Sequence, residues 1–286
     1  MDRRTPLPAA AAAFIALTAL SAAALAALYA VAIRTEWGQI HDEMARGNLH
    51  REDAPRVYRA TTDLLDSIHI SSLAVIGAVI VGLALLRRRP RLALGAAVLI
   101  AGANISAQIL KAALPRPDLH PDPWVPTSGT FPSGHVTVAM SLAAALLLVA
   151  PAVLRWPVAA LGAAYAAGVG VAVITLDWHR PSDVLGAYLL TAAWTGVVAA
   201  VLSGPAGRGE LADGIRSPRT RLLAAAATVA AVGIVITVTV AVGRDVDVFQ
   251  VEVNRPAFAA AATACAITGA ALCALIARLR GASVAP

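Results

Sequence analysis

Phe131-Pro132-Ser133-Gly134-His135 closes a polar, proline-rich segment, and an apolar run begins at once at Val136. Ser133 is placed to cap that run as a helix, because its hydroxyl can accept an amide proton left over at a helix start. Gly134 lets the backbone come close to a bound group. His135 falls in the first turn, where free N–H groups and the helix dipole favour an anion. The stretch therefore reads as an anion site at a membrane surface. The rest of the chain has to supply the membrane, the other charges and a reactive group.

Composition supplies the membrane. Of 286 residues, 58% are hydrophobic and only 14% are charged, where a soluble domain carries about 25% charged residues. Apolar runs fall at about 9–33, 67–86, 92–110, 136–151, 157–176, 184–202, 222–242 and 257–277, most of them close to the roughly 20 residues a span needs. The expectation is an all-α, polytopic transmembrane helical bundle. The first run is longer than a signal-peptide core and reads as a retained span. Residues 34–66 are polar and predict a short amphipathic helix at the interface. Cys265 and Cys273 lie eight apart in the last run, too far for a mutual disulfide along a helix, and read as small buried hydrophobes.

The net charge of +6 is not laid out as a nucleic-acid-binding face, and no nucleic-acid partner is expected. Arginines cluster in short turns between the runs. Eight spans put both termini on one side. The N-terminal residues, the loops 87–91, 152–156 and 203–221, and the tail hold 13 of the 23 basic residues but only 3 of the 17 acidic ones. The positive-inside rule makes that side cytoplasmic. The Arg- and Ala-rich composition fits a bacterial inner membrane.

This orientation gathers Lys111, Arg116, Ser133, His135, His179, Arg180 and Asp183 at the outer face. Arginine offers a planar fork for phosphate oxygens and lysine a point charge. Histidine serves as nucleophile or as acid and base near neutral pH. Asp183 follows His179 by four residues, close enough for its carboxylate to hold one ring nitrogen. Lys111 is the chain's single lysine against 22 arginines. A snorkelling helix-end lysine is the plainer reading of it; its neighbours favour a phosphate ligand. Trp124 and Trp178 read as interface anchors, and Asp118 and Asp177 as solvated loop charges. No tight ligand cluster suggests a metal.

The constellation resembles the type 2 phosphatidic acid phosphatase (PAP2) superfamily. That pattern joins Lys, six residues and Arg-Pro; then Pro-Ser-Gly-His; then Ser-Arg, five residues, His, three residues and Asp. The second part is complete as Pro132-Ser133-Gly134-His135. In the third, His179 and Asp183 match, but Ala172 and Val173 stand where Ser-Arg is expected. In the first, Arg116-Pro117 follows Lys111 after four residues, and Asp118-Leu119 stands at the expected pair. The resemblance implies a six-helix core over residues 1–202, with 203–286 adding a cytoplasmic loop and two further helices. It implies a lipid phosphatase needing no metal or other cofactor and acting on a phosphorylated lipid. His179 would attack phosphorus, with Asp183 holding its ring, and His135 would protonate the leaving alcohol. Lys111, Arg116, Ser133 and Gly134 would hold the phosphoryl oxygens, and Arg180 is the candidate to replace the missing arginine. The alternative is non-catalytic binding or transport of a phosphorylated lipid. The sequence chooses neither the lipid nor the oligomeric state.

Overall fold

The computed structural model describes residues 9–46, 55–119, 129–151, 153–204 and 255–282. Among these residues the secondary structure is helical throughout. Helix α1 (Ala9–Leu28) runs on through a π-helical turn, Tyr29–Ile33. Two short helices follow, α2 (Glu36–Met44) and α3 (Pro55–Asp66). Then come α4 (Ile70–Leu86), α5 (Pro90–Ala113), α6 (Gly134–Val149), α7 (Arg155–Thr175), α8 (Pro181–Leu202) and α9 (Arg255–Ala282).

Four helical stretches are long and apolar enough to cross a membrane: Ala11–Ile33, Pro90–Ala113, Arg155–Thr175 and Pro181–Leu202. At 1.5 Å per residue, 21 to 24 residues cover a hydrocarbon core of about 30 Å. The expected second span, 67–86, is the 17-residue α4, and it is long enough to cross only together with amphipathic α3, which meets it at 61°. Helix α6 has only 16 residues, but nearly every side chain from Val136 to Val149 is buried. It packs against α4, α5, α7, α8 and α9. A helix apolar all round belongs inside a bundle, and one wrapped by other helices need not match the bilayer thickness. The molecule is a multi-pass membrane bundle, and its outer belt of Ile15, Leu20, Val75, Ile105, Leu161 and Val201 is exposed and apolar, as lipid requires. The expected span 222–242 lies outside the described residues.

Close helix contact comes from small residues, the usual device where lipid removes the hydrophobic drive between helices. A methyl group at Gly196 of α8 would sit 2.7 Å from Phe14 O of α1. Beside that contact Thr18 Oγ1 donates to its own helix at Phe14 O and lies 3.3 Å from Ala193 O across the seam. Helix α9 packs against α7 and α8, and Cys265, Cys273 and Ile276 join the main apolar core, both cysteines as buried thiols outside any disulfide.

One end of this bundle collects the C-terminal ends of α1, α5 and α7 and the N-terminal ends of α6 and α8. Lys111, Arg116, Ser133, Gly134, His135, His179, Arg180 and Asp183 all lie on these ends or on the links between them. The expected amphipathic segment 34–66 resolves into α2 and α3, and α2 lies against the same end.

Candidate active site

The site starts from the corner between α7 and α8. Helix α7 closes with Trp178 N–H and His179 N–H both donating to Val173 O, at 3.0 and 3.1 Å. Asp177 takes a left-handed conformation (φ 62°) to turn the chain, a geometry Asp tolerates better than most residues. Arg180 then serves as N-cap of α8, and Pro181 begins it, where a missing N–H costs nothing.

His179 and Asp183 face each other across this corner. His179 Nδ1 lies 3.1 Å from Asp183 Oδ2, and both side chains are buried. The same oxygen accepts the Thr130 hydroxyl at 2.6 Å and the Arg180 backbone N–H at 3.1 Å. Asp183 thus orients the imidazole and caps α8 at once.

The α6 start docks beside it. Ser133 N–H donates to Asp183 O at 3.0 Å. Ser133 Oγ accepts from Val136 N at 3.5 Å, the capping contact expected from sequence. Phe131 packs its ring against Gly186 of α8, where a methyl group would come within 2.7 Å of the ring. Gly134 faces Lys111: a methyl group there would stand 3.5 Å from Lys111 Nζ and 3.7 Å from Gln108 Nε2. His135 stacks obliquely on Trp178, ring centroids 5.5 Å apart, and lies within electrostatic reach of His179, Lys111, Asp66 and His69. Lys111, Ser133, Gly134, His135, His179, Arg180 and Asp183 therefore converge, with Arg116 at one side.

The arginines bring partners that sequence reasoning missed. Arg116 Nη2 donates to Asp42 Oδ2 at 3.0 Å, both groups being buried. Asp42 also accepts from Ser182 N at 2.9 Å and Ser182 Oγ at 2.6 Å. Arg180 Nε donates to Glu43 Oε2 at 2.7 Å. Glu43 is paired as well with Arg46, which reaches Asp177 and donates from Nη2 to its carbonyl at 3.1 Å. Asp177 is exposed in the α7–α8 link, as expected of a solvated loop charge, and in addition pairs with Arg46, because the chain leaving α2 folds over that corner. Partial desolvation raises the Asp177 carboxyl above the usual carboxylate range, while Arg46 pulls it down. Only the adjacent acids in a polar segment hinted at this arrangement. Trp124 lies outside the described residues.

Ala172 and Val173, which replace the expected Ser-Arg pair, are buried in the apolar core. Val173 contributes its carbonyl, not its side chain. Among the described residues no group of three or more His, Cys, Asp or Glu could hold a metal ion.

The family model of the PAP2 superfamily matches residues 91–204. The matched domain runs from the start of α5 past the end of α8. It contains all eight residues proposed from sequence and leaves out Asp42, Glu43 and Arg46. No curated protein and no solved structure matches the chain.

Proposed function

We propose that this PAP2-domain protein is a membrane phosphatase that removes phosphate from a lipid phosphate or a polyprenyl (di)phosphate. The observation that carries the reading is the buried His179–Asp183 pair, 3.1 Å apart, beside a capped helix start that presents His135. With Nδ1–H held by the carboxylate, the Nε2 lone pair is free to attack phosphorus. The bond from phosphorus to the leaving oxygen breaks as the phosphorus–nitrogen bond forms. His135 gives its proton to that oxygen, an alkoxide from a monoester or the lipid phosphate left from a diphosphate, and then takes one from water. That water attacks the phosphohistidine, releasing inorganic phosphate and restoring His179.

Lys111, Arg116 and the amides at Ser133 and Gly134 would hold the phosphoryl oxygens as charge builds on them, and Arg180 would add a fork. The catalytic core is residues 1–202, with the segment 203–286 attached and α9 packed beside α7 and α8. Charge bias in the loops supports an orientation with this end outward and both termini in the cytoplasm, and the Arg- and Ala-rich composition supports a bacterial inner membrane and with it a cell-envelope lipid.

One observation favours a second reading, binding or transport of a phosphorylated lipid without hydrolysis: Val173 is sealed in apolar core where the family pattern has arginine. One experiment separates the two. Purified protein in detergent is offered phosphatidic acid, phosphatidylglycerol phosphate, a polyprenyl diphosphate and a polyprenyl-phosphoryl sugar phosphate, beside His179→Ala. Phosphate release from one lipid, abolished in the variant, is the expected result. Equal background from both proteins would leave the binding reading.

A further inference from the structure

Asp42 comes from α2, outside the matched domain, yet it sits at the centre of the site's buried polar contacts. Its carboxylate joins three groups: Arg116 Nη2, Ser182 N and Ser182 Oγ, at 3.0, 2.9 and 2.6 Å. All three residues are buried. Among the described residues Asp42 is the acceptor Arg116 has, and Arg116 Nε has no hydrogen-bond partner there.

The backbone around Arg116 is tied to the same region. Gln39 Nε2, on α2, donates to Pro117 O at 2.7 Å and to Ile33 O at 2.8 Å. Tyr29 Oη donates to Pro115 O at 2.8 Å. Helix α2 thus grips both the loop that carries Arg116 and the first turn of α8, which carries Asp183.

We propose that Asp42 is a positioning residue: it fixes the Arg116 guanidinium against the start of α8 and so sets the arginine relative to the His179–Asp183 pair. The proposal rests on reading this end of the bundle as a phosphate site. A guanidinium has five N–H groups, and the carboxylate occupies one edge, leaving others for a phosphoryl oxygen. Two of the three bonds to Asp42 come from Ser182 and do not involve the arginine. The carboxylate is therefore a fixed support rather than a plug that phosphate displaces.

The test uses the full-length protein in detergent and inorganic phosphate as probe, with affinity read from the rise in melting temperature. Parent, Asp42→Asn, Arg116→Gln and the double variant are compared. Asp42→Asn is expected to weaken phosphate binding about 10-fold or more, the scale of a lost hydrogen bond to a charged group. In the Arg116→Gln background the same change should shift affinity less than about twofold, because Asp42 acts through the arginine. Equal or tighter binding by Asp42→Asn, or an equal loss in both backgrounds, overturns the proposal. If Asp42→Asn does not fold, Ser182→Ala removes one bond to the carboxylate. A loss of about threefold is then expected, and unchanged affinity overturns the proposal. A parent that phosphate does not protect would remove the phosphate site and this proposal together. A protected parent whose variants bind equally well removes only the role of Asp42.

Discussion

His179 Nδ1 and Asp183 Oδ2 stand 3.1 Å apart across the α7–α8 corner, and that oxygen also holds the Thr130 hydroxyl and the Arg180 amide. Three donors on one buried oxygen leave the carboxylate little freedom, and the imidazole inherits that order. Asp183→Asn keeps the shape but can present an N–H where the ring needs an acceptor. We expect kcat to fall on the order of 10³- to 10⁴-fold, with KM little changed because Asp183 is not a phosphate ligand. Steady-state kinetics on whichever lipid the parent cleaves will show it. A kcat within twofold of the parent would mean that His179 does not depend on Asp183.

Gly186 is required by the Phe131 ring, not by backbone conformation. Adding a methyl group brings it within 2.7 Å of Phe131 Cζ, and Phe131 anchors the loop that leads into Ser133. Gly186→Ala should cost about 1–3 kcal/mol of stability, the range for overpacking a tight contact. Thermal unfolding in detergent measures this. Adding Phe131→Leu to the same chain should recover part of the loss by making room. No recovery would place the strain elsewhere.

The sequence disclosed those parts of the site that depend on short spacing. Ser133 as a cap, His179 with Asp183 four residues on, and the apolar runs are local or nearly local signals, and the described helices agree with them. Residue spacing gives Lys111 and Gly134 only a shared depth, and it is the family resemblance that implies one phosphate between them. The partners of the arginines were not legible. Asp42 lies 74 residues from Arg116 and 140 from Ser182, and no periodicity links positions so far apart. Helix α6 shows the converse limit. Its 16 residues look short for a span, and only its burial on all sides explains why that length suffices.

Arg180 is the candidate for the phosphate contact that Val173 does not supply. Its Nε is held by Glu43 at 2.7 Å, which fixes the orientation of the guanidinium. Arg180→Ala should lower turnover about 100-fold or more, the usual cost of losing one donor to a developing oxyanion. Arg180→Lys should recover only part of it, since an ammonium cannot reproduce the fork. Turnover of Arg180→Ala equal to the parent's would assign Arg180 to the cap of α8 alone.

Asp42 should also reveal itself through pH. Burial and the nearby Asp183 charge push its carboxyl above the usual carboxylate range, against the hydrogen bonds from Ser182 and the Arg116 charge. The buried Cys265 thiol lies within reach of the same charge. The folded chain therefore holds this proton more tightly than the unfolded chain, where an aspartate titrates near about 3.9. Stability from this group is fully present below that value and is lost as pH rises through the folded pKa. Asp42→Asn has no such proton. The difference in melting temperature, parent minus variant, should be largest near pH 4, fall as pH rises, and then level off. Asp177 and Asp183 titrate in both chains and largely cancel from the difference. Melting curves in detergent between pH 4 and 8 make the comparison. A difference that grows with pH would mean that the attraction of Arg116 outweighs burial at this carboxylate.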